Sequence, residues 1–177
     1  DGKREAAYIG ENFQIGQRRI ILEPRTLAKL LDALDIHNDE LVLDIGSGLG
    51  YSSAIISLIG EVVIAVEDDS SLASEAEEIL SEIGVDNVVV QIGKLEDGAP
   101  EHGPYDVIIL QGGVGKIPDS ILNQLKNGGR IGAIFIEEGL GTAKIGFKLN
   151  EKITWRYSFN AAAPILPGFS KQKDFVL

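Results

Sequence analysis

The sequence predicts an α/β fold: a doubly wound, mostly parallel seven-stranded sheet that ends in an antiparallel hairpin. Three observations predict it. Short apolar runs alternate with amphipathic helical stretches between Leu41 and Ile136. One run opens straight into a glycine turn, Asp44-Ile45-Gly46-Ser47-Gly48-Leu49-Gly50, with an apolar helical stretch behind it. Past residue 140 the pattern changes to strand-like alternation around a polar Asn150-Glu151 turn.

Taken in order, residues 1–14 are polar and aperiodic, with a turn signal at Gly10, Glu11 and Asn12. Pro24 suits a first helical turn, and Leu27, Leu30, Leu31 and Leu34 recur at helical spacing, so a helix runs from Pro24 to about Leu34. The run from Leu41 reads as a buried parallel strand, and Tyr51 to Ile59 as the helix after it. Val62 to Val66 is the second strand, closed by Glu67. Asp68-Asp69-Ser70-Ser71 offers capping oxygens to a helix whose apolar face is Leu72, Ala76, Ile79, Leu80 and Ile83, and which stops at Gly84. Asn87 to Ile92 is the third strand, with a loop at residues 93–98. Tyr105 to Leu110 is the fourth strand, followed by Gln111-Gly112-Gly113. A helix is expected from Ile117 to Leu125, with Pro118 in its first turn. Gly128-Gly129 then turns the chain into the fifth strand, Arg130 to Ile136. Lys144 to Leu149 and Ile153 to Phe159 complete the hairpin, and residues 161–168 read as coil. Residues 1–23 thus form an N-terminal segment and residues 24–177 the domain that carries the glycine turn.

Composition bounds the function. At 177 residues the chain fits one domain, and 44% hydrophobic with 24% charged residues is ordinary for a globular protein. No apolar run approaches the length needed to cross a bilayer, so no membrane partner is expected. The net charge is −11, concentrated in residues 39–140 with nineteen acids against four bases, which counts against nucleic acid as a partner. There is no cysteine for disulfide or thiol chemistry, which fits a cytoplasmic protein, and no metal site is expected. The chain holds no methionine, so a further segment is expected before Asp1.

Strand, glycine turn and helix together bring bare backbone N–H groups against a nucleotide-like ligand. The spacing differs from a dinucleotide fingerprint: glycines alternate, and Tyr51 stands where the third glycine of that fingerprint would be. Asp44, two residues before Gly46, suits a ligand with a positive centre, such as the amino group of S-adenosylmethionine. Glu67 lies 21 positions after Gly46, at the tip of the next strand, placed to accept from both ribose hydroxyls. A nicotinamide nucleotide would share the ribose acid but not the Asp44 pattern. The carboxyl edge of the sheet gathers Asp44 to Gly50, Glu67-Asp68, Gly93-Lys94-Leu95 and Gln111-Gly112 around one crevice. No catalytic base is identified, because His37 and His102 both fall in polar connectors.

From about Ile15 to Ile136 the chain resembles the protein-L-isoaspartate (D-aspartate) O-methyltransferase family, of the Rossmann-like class I S-adenosylmethionine-dependent methyltransferases. The resemblance rests on Ile15-Gly16 ahead of Pro24, on Val42 to Tyr51, on Gly103-Pro104-Tyr105-Asp106-Val107-Ile108, and on Ile117-Pro118 leading to Leu125-Lys126-Asn127-Gly128-Gly129-Arg130. It implies an O-methyltransferase acting on a carboxylate, with a damaged protein or peptide as acceptor and S-adenosyl-L-homocysteine as product. It implies that Gly46, Ser47 and Gly48 line the methionine part of the cofactor, that Glu67 holds the ribose, and that Lys94-Leu95 flanks the adenine. The expected cofactor-binding set is Asp44, Gly46, Ser47, Gly48, Tyr51, Glu67, Asp68, Lys94, Leu95 and Gln111. Family members also carry an N-terminal helical segment that is missing before Asp1. The acceptor side departs from the family: Arg19-Ile20-Ile21-Leu22-Glu23-Pro24 stands where it usually reads Gln-Thr-Ile-Ser-x-Pro, so two hydroxyls are replaced by aliphatic groups. Lys94 stands where the family has an acid, and Gln111-Gly112-Gly113 where it has Thr-Ala-Ala. These departures predict weak isoaspartyl repair, and leave a different acceptor, or a non-catalytic cofactor-binding module, as the alternative.

Overall fold

The computed structural model describes residues 11–171; residues 1–10, with the beginning of the N-terminal segment and the Gly10 end of its turn, lie outside that range. The described part begins with a short antiparallel hairpin, β1 (Phe13–Gly16) and β2 (Arg19–Ile21), which forms a separate two-stranded sheet. Its pairing shifts between Gln14 and Gly16, so Ile15 is the extra residue of a bulge. Helix α1 (Pro24–Leu34) follows and buries Leu27, Leu30, Leu31 and Leu34, the stripe that the leucine spacing predicts.

The main sheet has seven strands in the spatial order β5 (Val88–Ile92), β4 (Val62–Glu67), β3 (Leu41–Ile45), β6 (Tyr105–Val114), β7 (Leu125–Glu137), β8 (Leu140–Leu149) and β9 (Lys152–Asn160). The first five in that order are parallel, and β8 and β9 are added antiparallel. Central strands are apolar on both faces because both faces are covered. Successive side chains of β3 show this: Val42 packs into one apolar cluster with α1, whereas Leu43 packs into another with Tyr105, Leu166 and Phe169. Helices α2 (Tyr51–Ile56) and α3 (Ser70–Glu82) follow β3 and β4, and α3 is capped by Asp69, whose carboxylate accepts from the N–H groups of Ser71 and Leu72.

Several elements differ from expectation for identifiable reasons. Helix α2 stops at Ile56 instead of Ile59; Ser57 bonds back to the Ala54 carbonyl, and Gly60 turns the chain beneath Val42. The helix expected over 117–125 is one turn, α4 (Asp119–Leu122), because Leu125 is drawn into β7 opposite Tyr105. Strand β6 continues through Gln111-Gly112-Gly113 to Val114. Glycine is required there: a Cβ on Gly112 would stand 2.7 Å from Leu166, and one on Gly113 would stand 2.7 Å from the Ala163 carbonyl oxygen. Strands β7 and β8 extend past their expected limits at Ile136 and Lys144 and meet in a tight turn at Glu138-Gly139, both with positive φ. The β8–β9 turn falls at Asn150-Glu151 as expected.

Candidate functional site

The carboxyl ends of β3, β4 and β6 meet at the glycine turn. Its backbone is fixed by Gly46 and Ser47 N–H groups donating to the Val66 carbonyl, at 2.9 and 3.3 Å, and by Gly48 N–H donating to Glu67 Oε2 at 2.7 Å. Gly46 and Gly48 both have positive φ, which an L side chain would resist. The turn from Gly46 to Gly48 is buried.

Asp44 lies beneath the turn, fully enclosed. Gln111 Nε2 donates to one carboxylate oxygen at 2.7 Å, and Ser52 and Ser53 hydroxyls donate to the other at 2.6 Å each. Burial raises its pKa, the three hydrogen bonds oppose that, and the Glu67 charge adds to the rise. In this arrangement Asp44 ties β3, α2 and β6 together under the turn. Gln111 serves the same network.

Glu67 is fully buried at the tip of β4, and it is taken. Arg19, from the β1–β2 hairpin, donates Nη1 to Oε1 at 2.6 Å and Nη2 to Oε2 at 2.5 Å. Arg19 Nη1 also pairs with Asp68. The N–H groups of Asp68 and Asp69 donate to Oε1 at 3.1 Å each. Burial works to raise the Glu67 pKa, but the Arg19 hydrogen bonds and charge outweigh it, so the carboxyl is held below its ordinary value. Asp68 is pushed the other way, by burial and by its hydrogen-bonded glutamate neighbour.

Around this pair the cleft is filled by the protein itself. A Cβ on Gly48 would stand 2.5 Å from Ile15 Cδ1, and one on Gly46 would stand 3.4 Å from both Arg19 Nη2 and Leu166 Cδ2. Among the described residues, the cavity lined by Ile20, Leu22, Gly46, Ser47, Tyr51 and Gln111 among others measures about 10 Å³. That is room for about one water molecule. Two polar atoms here are buried without a partner among the described residues: Arg19 Nε and Ser47 Oγ.

The structure therefore brings Asp44, Gly46, Ser47, Gly48, Glu67, Asp68, Tyr51 and Gln111 together. Tyr51 is partly exposed at the start of α2. Lys94 is exposed, whereas Leu95 is fully buried in the apolar cluster that holds Tyr105 and Phe169. His37 and His102 are exposed. Ile15, Arg19 and Leu166 are the cleft residues that sequence reasoning missed. The hairpin that carries the first two gave no signal, because its turn at Gln17-Arg18 holds no glycine although Arg18 has φ of 58°.

The residues fit a nucleoside with an amino-acid tail by chemistry: two glycines that keep the backbone bare, a strand-tip carboxylate, and an unpartnered buried hydroxyl. Among the described residues no helix is long and apolar enough to cross a membrane.

The sequence profile described as protein-L-isoaspartate(D-aspartate) O-methyltransferase matches residues 2–148. A protein-L-isoaspartate O-methyltransferase of Syntrophus aciditrophicus is 34% identical over 151 residues, covering 83% of this chain and 69% of that protein. A second, from Pelobacter propionicus, is 38% identical over 130 residues, covering 73% of this chain and 58% of that protein. The chain thus spans about three fifths to two thirds of the length of these relatives. Among solved structures, a protein-L-isoaspartate O-methyltransferase superposes with a TM-score of 0.79 at 26% identity, covering 84% of this chain and 49% of that one. A Plasmodium falciparum protein, described as a putative member of the same group and solved with S-adenosyl-L-homocysteine, shares the fold with a TM-score of 0.75 at 19% identity, covering 90% of this chain and 81% of that one.

Proposed function

This chain belongs to the protein-L-isoaspartate (D-aspartate) O-methyltransferase family, and from that premise we propose that it binds S-adenosylmethionine and methylates a carboxylate. The observation that carries the reading is the buried Gly46–Gly48 turn with the Glu67 carboxylate beside it, at the carboxyl edge of a family-matching sheet.

When bound, S-adenosylmethionine supplies a methyl group activated by its sulfonium. Glu67 accepts from the ribose hydroxyls, while Gly46, Ser47 and Gly48 allow close backbone approach to the tail. Asp44 holds the turn in place from below through Ser52, Ser53 and Gln111. Ile20 and Leu22, both buried, exclude water from the acceptor side. A carboxylate acceptor is ionised at neutral pH, with a pKa of about 4, so methyl transfer by in-line displacement needs no base. That suits a cleft whose described residues include no histidine. A cytoplasmic location belongs to the same reading, supported by the cysteine-free composition.

The acceptor is a peptide or protein carboxylate, and the aliphatic Ile20-Ile21-Leu22 run makes isoaspartyl peptides poor substrates. A carboxylate arriving against Leu22 loses a hydroxyl partner, at about 1–3 kcal/mol for each one missing. The test is release of S-adenosylhomocysteine by the full-length protein with an isoaspartyl peptide. Turnover is expected to be slow and to rise in Leu22→Ser; Glu67→Ala should lower cofactor affinity at least tenfold. Tighter calorimetric binding of NAD than of S-adenosylmethionine or its product would overturn the cofactor assignment.

A further inference from the structure

The Arg19–Glu67 pair governs how any nucleoside enters. We propose that Arg19 is an internal competitor for the nucleoside subsite: the β1–β2 hairpin is a latch whose guanidinium holds the carboxylate that the ribose hydroxyls would use. The inference rests on the cofactor reading above and deepens it.

Four observations support a latch. Both oxygens of Glu67 are engaged by the two terminal nitrogens of Arg19, so a diol gains full access only when the guanidinium withdraws. The bulge residue Ile15 covers Gly48, the glycine whose bare backbone the ligand tail would approach. The cavity that the described residues leave beside the turn is about 10 Å³, against the roughly 300–1,000 Å³ of small-molecule sites. Arg19 and Ile15 therefore fill the subsite together, one by charge and one by bulk.

The fourth observation concerns the closed state itself. Arg19 Nε and Ser47 Oγ are buried without partners among the described residues, so the hairpin satisfies the site incompletely. The hairpin is also a separate two-stranded sheet, joined to the main sheet by no strand pairing among the described residues. Displacing it breaks no ladder of the seven-stranded sheet. Glu67 keeps three backbone donors, Gly48, Asp68 and Asp69, when Arg19 leaves, so the carboxylate stays in place to receive the ribose.

A ligand that binds only the unlatched form shows an apparent affinity reduced by the fraction of molecules unlatched. Weakening the latch should then raise affinity, and the gain should appear in the association rate. The experiment measures S-adenosylhomocysteine binding to the full chain by calorimetry and stopped flow, for wild type, Arg19→Gln and Ile15→Ala. Arg19→Gln removes the fork that grips Glu67; Ile15→Ala removes only bulk over Gly48 and leaves every charge paired, which guards against a folding defect in the first variant. The expected result is at least tenfold tighter binding for Arg19→Gln and a smaller gain for Ile15→Ala, both with faster association. Equal or weaker binding by both variants, with wild type binding normally, would overturn the latch and leave the cofactor reading standing. No binding by any of the three would overturn both.

Discussion

Arg130 and Arg19 each pair with a glutamate, one near the amino ends of the parallel strands and the other at their carboxyl ends. Arg130 sits opposite Val107, which pairs with Val42 at the start of β3. It donates Nε to the Leu34 carbonyl at 2.7 Å, Nη2 to the Asp35 carbonyl at 2.5 Å, and both terminal nitrogens to Glu40 at 2.6 and 2.8 Å. Its partners close the end of α1 and the connector into β3, none of which faces the cleft. Arg19 makes its forked contacts too, but with two acids at the carboxyl edge of the sheet, and its Nε has no partner among the described residues. A guanidinium satisfied along its whole edge, by backbone and side chain together, acts as a clamp. Arg19, on the proposal above, grips carboxylates that a nucleoside would use, and is the one expected to let go.

The largest effect expected from this contrast is on stability at the clamp. Arg130→Ala would leave two carbonyls without their donor and a mostly buried Glu40 with the His37 N–H alone. The expected loss is about 2–4 kcal/mol, or roughly 5–15 °C in Tm for a chain of this size. Thermal unfolding followed by circular dichroism reads it directly, and a loss under about 1 °C would show that the clamp carries nothing.

Next in size is the stability change at the latch. Arg19→Gln removes the cationic partner of a buried carboxylate, yet Glu67 retains three backbone N–H donors. The same unfolding measurement should give a loss of about 1–2 kcal/mol, smaller than at Arg130. A larger loss at Arg19 than at Arg130 would reverse the comparison and make the hairpin part of the scaffold.

How far each region could be read from sequence follows the same division. Strands β3, β4 and β5, helix α1, and the Asp69 cap were legible because they obey local rules: apolar runs, leucine spacing, capping oxygens. Glu67 was legible because its distance from the glycine turn is fixed by one βα unit. The closed state of the cleft was not. It depends on Arg19 crossing 48 positions to reach Glu67, and on Leu166 reaching back over Gly46 and Gly112, contacts that no periodicity encodes. The hairpin that delivers Arg19 was hidden as well, because its turn uses Arg18 at positive φ where a glycine or asparagine would have given a signal. Leu95 illustrates the converse. The resemblance implies that the Lys94-Leu95 loop flanks the adenine, and what no local pattern gave is that a 3₁₀ turn at Leu95–Asp97 folds the leucine side chain into the core.

The smallest effect expected is in the acid limb of the stability curve. The Arg130 hydrogen bond outweighs burial and lowers the Glu40 pKa below its ordinary value. A carboxyl lowered in the folded state contributes stability that is full above its unfolded pKa, about 4.3 for glutamate, and is lost as pH falls through the folded value. At the other edge the two acids oppose each other: Glu67 is lowered, giving the same sign, whereas Asp68 is raised, giving stability that fades as pH rises through its folded value. The Arg130 edge should therefore dominate the local acid sensitivity, and Arg130→Met should flatten the curve below about pH 4.3 more than Arg19→Gln does. Urea unfolding at intervals from about pH 6 down to about pH 3 checks this. A steeper acid limb in Arg130→Met than in the wild type would contradict that sign. An acid limb unchanged from the wild type would mean that Glu40 is held by the His37 N–H and that the clamp works through its carbonyl bonds alone.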